Sequence, residues 1–283
     1  MSAIIIDGKA VSGKIKAELA TEVAALGEKG IKVGLAVVIV GDNQASRVYV
    51  NNKKKACAQI GIYSEEYALP QETKQQDLLE LIDTLNSRNE INGILVQLPL
   101  PKHIDEKTVL NRINPAKDVD AFHPENVGQI MIGDYKFLPC TPAGIMELIK
   151  ETGIKCEGKD CVVVGRSNIV GKPMAMLLLQ ANGTVTICHS KTANLKDVTR
   201  RADVLVVAIG RANFVTADMV KPGAVVIDVG MNRNAEGKLC GDVDYDAVKE
   251  IAGYITPVPG GVGPMTISML MKNTVESAKS ALN

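Results

Sequence analysis

The chain has 283 residues, 46% of them apolar and 23% charged, with 32 Lys plus Arg set against 32 Asp plus Glu. That length favours two domains, each able to bury a core without disulfide staples, and the balanced, dispersed charge offers neither a basic groove for nucleic acid nor a polybasic face for a membrane. The six cysteines (57, 140, 156, 161, 188 and 240) include no Cys-x-x-Cys pair, and with three scattered histidines they form no metal-ligand cluster, so reduced thiols in a cytoplasmic protein are expected.

The first ten residues hold a short apolar, strand-like run but no basic leader followed by a long apolar segment, so secretion is not expected. No apolar stretch approaches the roughly 20 residues that cross a bilayer. In the first half, 34–40 and 93–98 are continuous apolar runs ending in turn residues, the pattern of buried parallel strands. Helices are predicted over 44–60, stopping at Gly61, over 74–87, and over 106–113, ending before Asn114-Pro115. This is a βαβ series in which helices cover a mostly parallel sheet. A helix over 142–151 joins the halves. The second half has strand candidates at 160–164, 184–188, 204–209, 224–229 and 253–256, with helices between several of them, which is a Rossmann-type rhythm, and a last helix from about 266 to 281.

Two segments point to small-molecule chemistry. On the helix over 44–60, residues four apart share a face, so Tyr49 and Lys53 of Tyr49-Val50-Asn51-Asn52-Lys53 are neighbours while Lys54 and Lys55 turn away. A phenol and an amine together suit acid-base work, although basic residues on helices are mostly solvated. Near the end, Pro257-Val258-Pro259-Gly260-Gly261-Val262-Gly263-Pro264 offers rigid turns and exposed backbone amides suited to a flat ring, or an interdomain hinge.

Between them, the apolar run Cys161-Val162-Val163-Val164 leads into Gly165-Arg166-Ser167-Asn168-Ile169-Val170-Gly171. A dinucleotide-binding turn needs glycines where the backbone bends and approaches the pyrophosphate, with a helix amino terminus facing the charge. Here Ser167 takes the second glycine position and the next glycine comes one residue late. At the end of the following strand an NAD site presents a carboxylate, whereas this chain has Ser190-Lys191-Thr192, with Arg166 across the turn. Cations and hydroxyls favour NADP; the alternative is a solvated loop. Tyr-x-x-x-Lys also occurs in short-chain dehydrogenases, but there it follows the cofactor turn, whereas Lys53 precedes Gly165.

Over nearly its whole length the chain resembles the bifunctional methylenetetrahydrofolate dehydrogenase/cyclohydrolase family. The resemblance rests on Tyr49 through Lys53 with Lys55-Ala56, Val96-Gln97-Leu98-Pro99-Leu100-Pro101, Lys117-Asp118-Val119-Asp120, Pro139-Cys140-Thr141-Pro142, Val163-Val164-Gly165-Arg166-Ser167, His189-Ser190-Lys191-Thr192 and the segment 256–266, in the family's order. It implies an α/β fold of two domains with a cleft between them: a βαβ folate-binding catalytic domain (1–140 plus 264–283) with a mostly parallel sheet, and a Rossmann NADP-binding domain (141–263). It implies oxidation of 5,10-methylenetetrahydrofolate by NADP and hydrolysis of the methenyl product to 10-formyltetrahydrofolate, in a cytoplasmic homodimer serving purine synthesis. The implied catalytic residues are Lys53, Tyr49, Gln97 and Asp120. The substrate would meet these and Val96, Leu98, Pro259, Gly260, Gly261, Val262 and Gly263. The cofactor would meet Gly165, Arg166, Ser167, Ile169, Gly171, Ser190 and Met231, and no metal is implied. Lys53 is the expected acid-base group, Tyr49 stacks on or orients the pterin, Gln97 bonds to Lys53 or substrate, and Asp120 anchors the aminopyrimidine edge. Two positions depart from the family pattern: Ala121 stands where glycine is usual, implying strain if that glycine supplies a positive φ, and Met231 where isoleucine is common. A dehydrogenase without the hydrolase step, or a non-catalytic folate or nucleotide sensor, would keep the same fold.

Overall fold

The structure, a computed structural model, describes residues 2–280. In chain order its elements are β1 (Ile4–Ile5), α1 (Gly8–Glu28), β2 (Gly34–Val40), α2 (Gln44–Ile60), β3 (Tyr63–Leu69), α3 (Gln75–Ser87), β4 (Gly93–Val96), α4 (Glu106–Arg112), α5 (Pro124–Ile132) and α6 (Cys140–Glu151). There follow β5 (Asp160–Val164), α7 (Gly171–Gln180), β6 (Thr184–Cys188), α8 (Leu195–Thr199), β7 (Val204–Val207), β8 (Val225–Asp228), β9 (Asn232–Arg233), β10 (Leu239–Cys240), α9 (Tyr245–Val248), β11 (Tyr254–Ile255) and α10 (Val262–Ser280). No helix among the described residues is long and apolar enough to cross a membrane.

These elements form two compact units, one of residues up to Gly13 with Thr141–Thr266, the other of Lys14–Cys140 with the residues from Ile267 on. Residues 2–13 thus group with the second half of the chain and not with 14–140, which differs from the boundary expected from sequence. The cause is backbone pairing: Ile4 and Ile5 of β1 lie in parallel register with Tyr254 and Ile255 of β11.

The first unit is built on a six-stranded sheet in the order β1-β11-β8-β7-β5-β6, parallel throughout. Its central strands β7 and β8 are wholly buried, as apolar runs of Val, Leu and Ile require. Val162, Val164, Leu205, Val207 and Val226 pack with Val243 and Val248 into one core. After β5 the chain goes to one side to form β6 and then crosses to the other to form β7. Connections that diverge in this way leave a crevice at the carboxyl ends of the strands, where α/β proteins hold their ligands.

The second unit has a three-stranded parallel sheet, β3-β2-β4, with every residue of β2 buried. Ala36, Val38 and Val40 pack against Leu78, Ile82 and Leu85 of α3. α2 is bounded as its ends dictate: the Asn43 side chain accepts from the Ser46 N–H at 3.0 Å, and Gly61 stops the helix at φ +84°.

Several bounds differ from sequence expectation, each for a physical reason. β7 stops at Val207 because the N–H groups of Ile209 and Gly210 turn to the Asp242 carboxylate at 2.7 and 3.0 Å. β8 likewise gives way after Asp228, whose own carboxylate accepts from the Gly230 N–H at 2.9 Å. α10 begins at Val262, four residues early, because Pro264 falls in the first turn, where its missing N–H costs nothing. The expected end of that helix at 281 lies outside the described residues. β3, with its sequence Tyr-Ser-Glu-Glu-Tyr-Ala-Leu, is a half-exposed edge strand that carries no apolar run to announce it.

Candidate active site

In the three-stranded unit, α2 sets Tyr49 and Lys53 one turn apart. Lys53 is 7% exposed, whereas Lys54 and Lys55 belong to the exposed face of the helix. The Lys53 Nζ donates to Gln97 Oε1 at 2.9 Å. Gln97 lies just past β4, and its backbone N–H still donates to the Val38 carbonyl at 2.8 Å, so the sheet fixes its place. Its Nε2 donates to the Leu98 carbonyl at 2.7 Å, which points the amide oxygen at Lys53. The Val96 side chain belongs to the core, and Leu98 is packed against it.

Asp120 follows a short bridge between Ile94 and Asp118. The buried Cys140 thiol is shared between Asp120 Oδ1 and the Val119 carbonyl, each at 3.4 Å. From α10, Asn273 Nδ2 donates to the carbonyls of Val119 and Leu138 at 2.8 Å, and Ser277 Oγ to those of Asn92 and Ala116 at 2.7 and 2.8 Å. Ala121 is buried and left-handed at φ +57°, so the position does demand a positive φ, and alanine bears strain on the order of 1–2 kcal/mol there.

Burial dominates the electrostatics. It pulls the Lys53 amine below the ordinary lysine range, opposed chiefly by the Asp120 carboxylate, which favours the ammonium. It pushes Asp120 upward against the pull of Lys53, and it raises the Tyr49 phenol. Asp118, which accepts from the His123 N–H at 2.7 Å and Asn126 Nδ2 at 2.8 Å, is pushed up to about 6, again by burial. An amine whose ammonium form burial disfavours, beside a fixed amide and a buried carboxylate, can take a proton from water and return it.

In the six-stranded unit, Gly165 has φ +137°, and a Cβ there would stand 2.3 Å from the Ala208 carbonyl oxygen. A Cβ at Gly171 would stand 2.3 Å from the Gly165 oxygen and 2.7 Å from the Arg166 nitrogen. Only glycine fits at either place, so the turn is tight in spite of Ser167. The Ser167 hydroxyl instead accepts from the N–H groups of Val170 at 3.1 Å and Gly171 at 3.3 Å, closing the turn from within. Parallel register of Val164 with Cys188, and of Val207 with Asp228, puts the exits of β5, β6 and β8 on one edge of the sheet. Arg166, Ile169, Ser190 and Met231 are exposed at these exits. After β6 the Thr192 hydroxyl accepts from the His189 N–H at 2.9 Å, leaving Ser190 and Lys191 turned to solvent with no carboxylate among them. This donor set fits a ribose 2′-phosphate, and the glycine turn fits a pyrophosphate.

The segment 259–263 also lies in this unit. Gly261 N–H donates to the Pro257 carbonyl at 2.8 Å, and Gly260 has φ +112°. A Cβ at Gly8 would stand 1.9 Å from the Gly261 oxygen, so the turn rests on the start of α1. Pro259 is exposed, Gly260 and Gly263 are half-buried, and Gly261 and Val262 are buried. The expected residues therefore divide, with Tyr49, Lys53, Val96, Gln97, Leu98 and Asp120 in one unit and all the others in its companion. No cluster of three metal-ligating side chains occurs among the described residues.

Three structural residues carried no readable signal. Cys140 lay in a quoted motif without a role, Asn273 sat in an ordinary helical stretch, and Asp242 looked like any loop aspartate. Asp242 accepts from the N–H groups of Ile209, Gly210 and Arg211 and from Asn232 Nδ2, all at 2.7–3.0 Å, so one carboxylate gathers the loops after β7 and β8.

Comparison with known proteins gives consistent matches. Residues 6–120 match the tetrahydrofolate dehydrogenase/cyclohydrolase catalytic domain, and residues 139–282 match the NAD(P)-binding domain of the same family. The chain is 64% identical to the bifunctional protein FolD of Acetivibrio thermocellus over 99% of this chain and 98% of that protein. It is 60% identical to the protein of the same name from Bacillus cereus strain AH187, again over 99% and 98%. Among solved structures, the bifunctional FolD of Campylobacter jejuni superposes with a TM-score of 0.97 at 53% identity, covering 99% of this chain and 100% of that one. The Trypanosoma brucei FolD, complexed with NADP cofactor and inhibitor, superposes at 0.96 and 41% identity, covering 100% and 99%.

Proposed function

The chain belongs to the tetrahydrofolate dehydrogenase/cyclohydrolase family, and from that premise we infer that it is a bifunctional enzyme. It oxidises 5,10-methylenetetrahydrofolate to the 5,10-methenyl form with NADP+ and hydrolyses that product to 10-formyltetrahydrofolate. The observation that carries this reading is the buried Lys53 amine, depressed by burial, bonded to Gln97 and opposed by Asp120.

The three-stranded unit is the folate-facing, catalytic part, and the six-stranded unit is the cofactor-binding part. Asp120 accepts paired N–H donors from the aminopyrimidine edge of the pterin, which supplies orientation as well as affinity. Tyr49 lies against the pterin. NADP+, when bound, supplies the hydride acceptor for the methylene carbon. Gly165 and Gly171 let the backbone approach its pyrophosphate, while Arg166 and Ser190 meet its 2′-phosphate. In the hydrolytic step Lys53, as the neutral amine, takes a proton from the attacking water and afterwards returns one to the ring nitrogen that leaves, with Gln97 holding the amine in place. Family membership also supports a cytoplasmic homodimer feeding one-carbon units to purine synthesis, the dimer being measurable by light scattering.

The test is spectrophotometric, with methylenetetrahydrofolate and either NADP+ or NAD+, following methenyl accumulation and then decay. Accumulation without enzymatic decay would leave a dehydrogenase alone. Folate binding without accumulation would leave a sensor.

A further inference from the structure

The turn that presents Asp120 is held from outside itself. The Ala121 N–H donates to the Asp118 carbonyl at 3.0 Å, so Val119 and Asp120 are the central pair of a β-turn. Asp118, at the start of that turn, is fixed by its bridge to Ile94 and by the donors on its carboxylate, the His123 N–H at 2.7 Å and Asn126 Nδ2 at 2.8 Å. The peptide between Val119 and Asp120 takes no part in closing the turn. Types I and II of a β-turn differ by about half a rotation of that central peptide, so closure alone leaves its direction open.

Two groups from distant parts of the sequence fix the direction. The Val119 carbonyl accepts from Asn273 Nδ2 of α10 at 2.8 Å and from the Cys140 thiol at 3.4 Å. Asn273 Nδ2 also donates to the Leu138 carbonyl at 2.8 Å and reaches the Cys140 sulfur at 3.8 Å. One amide group therefore ties the turn to the chain just before Cys140, whose thiol in turn meets Asp120 Oδ1 at 3.4 Å. A helical turn further along α10, Ser277 Oγ holds the Ala116 carbonyl at 2.8 Å, so the two side chains grip the segment 116–119 at both ends. Asn273 is only 8% exposed, and burying an amide in a helix is costly unless its N–H donors are used; the carbonyls of Val119 and Leu138 use them.

Ala121 pulls against this hold. It is buried at φ +57°, a left-handed conformation that its Cβ disfavours. Relaxation to a negative φ must turn the backbone on its amino side, because the His123 N–H pins the carboxyl side to Asp118. The residue on that amino side is Asp120.

We propose that Asn273 is a positioning residue for the folate chemistry: by fixing the Val119–Asp120 peptide against the strain at Ala121, it aims the Asp120 carboxylate at the aminopyrimidine edge of the substrate. The role rests on the reading of this chain as a folate enzyme. It makes a buried helical amide, acting through Asp120, a determinant of folate affinity, and it leaves the cofactor untouched.

The test is steady-state kinetics on the full chain. In Asn273→Ala the KM for methylenetetrahydrofolate and for methenyltetrahydrofolate should rise roughly five- to tenfold, the worth of one such hydrogen bond, with kcat changed less and the KM for NADP+ at the parent value. A general loosening of the fold would instead lower the active fraction, and kcat with it, at unchanged KM. Ala121→Gly removes the strain that Asn273 opposes, so the double variant should return the folate KM to within about threefold of the parent. Should Asn273→Ala not fold, Asn273→Ser takes its place: its single, shorter donor can serve only one of the two carbonyls, and the folate KM should rise about two- to threefold. A folate KM at the parent value in the folded, active variant, or the same rise whether residue 121 is alanine or glycine, overturns the proposal and leaves the functional reading in place. A parent chain that turns over neither folate overturns the functional reading and the proposal together.

Discussion

Lys53 donates to the Gln97 amide oxygen at 2.9 Å while the nitrogen of that amide is bound to the Leu98 carbonyl at 2.7 Å. An amide engaged at both ends does not flip, so Lys53 is held in one rotamer by an acceptor that is itself fixed to the end of a buried strand. The amine is positioned before any substrate arrives.

Lys53→Met keeps length and apolar volume but removes the amine. Hydrolysis should fall by at least about 10²-fold, the usual loss for an acid-base group, and the dehydrogenase rate should fall less. Both rates measured on one folded preparation decide it, and hydrolysis near the parent rate would make Lys53 only a buried structural lysine. In the parent, burial disfavours the ammonium, so hydrolysis should rise with pH through an inflection below the roughly 10.4 of ordinary lysine.

Asp120→Asn should leave the fold intact and weaken folate use in both reactions, because both depend on one anchor. It also removes the charge that favours the Lys53 ammonium, so the inflection of whatever hydrolysis remains should move to lower pH. Unchanged KM for the methylene and methenyl substrates would rule out the anchoring role.

Arg166→Ala should weaken NADP+ use by on the order of 1.5–3 kcal/mol, the worth of a charge-assisted contact to the 2′-phosphate, and affect NAD+ much less. Initial rates with each cofactor provide the measure. Equal losses would mean that Arg166 does not read the phosphate.

Asp242→Asn should destabilise the six-stranded unit. Both carboxylate oxygens accept, Oδ2 from Ile209 and Gly210 and Oδ1 from Arg211 and Asn232, so an amide must turn its NH2 toward two donors. A cost of about 2–3 kcal/mol follows, together with a raised KM for NADP+ as the loops after β7 and β8 loosen. A denaturation midpoint within error of the parent would count against it.

Asp118→Asn tests a pH dependence. The folded carboxyl titrates at about 6, against about 3.9 unfolded. A raised carboxyl binds its proton more tightly in the folded state, so its stabilising contribution is whole below about pH 4 and is lost as pH rises through 6. Both donors to Asp118 converge on Oδ2, so the asparagine oxygen can keep both bonds. The variant should match the parent near pH 4 and exceed it by on the order of 1–3 kcal/mol at pH 7 in urea unfolding. Parallel profiles would refute this.

Much of the architecture was legible because the strands are short apolar runs buried on both faces and α2 is bounded by Asn43 and Gly61, signals that local chemistry writes directly. β3 was hidden because an edge strand built from Tyr63, Glu65 and Tyr67 has no apolar run. The placement of residues up to Gly13 was hidden because it depends on a pairing with β11 that no local pattern encodes. At the site, the helical spacing of Tyr49 and Lys53 could be read, and so could the motifs around Gln97 and Asp120. The supports could not: Cys140, Asn273 and Asp242 act through backbone carbonyls and N–H groups brought to them by the fold, and such partners leave no mark in composition or periodicity.

The pairing of β1 with β11 sets an order on manufacture. As the chain leaves the ribosome, Ile4 and Ile5 emerge long before their partners Tyr254 and Ile255. The other unit waits longer, since Asn273 and Ser277, which clamp the carbonyls of Val119 and Asn92, come later still. Neither unit can be finished until the closing segment is made, so contacts of such long sequence separation fall late in folding and leave unfinished edges open meanwhile. A chain cut short before residue 273 would therefore lack the clamp on the segment that presents Asp120, and quality control would meet it as an unsealed protein.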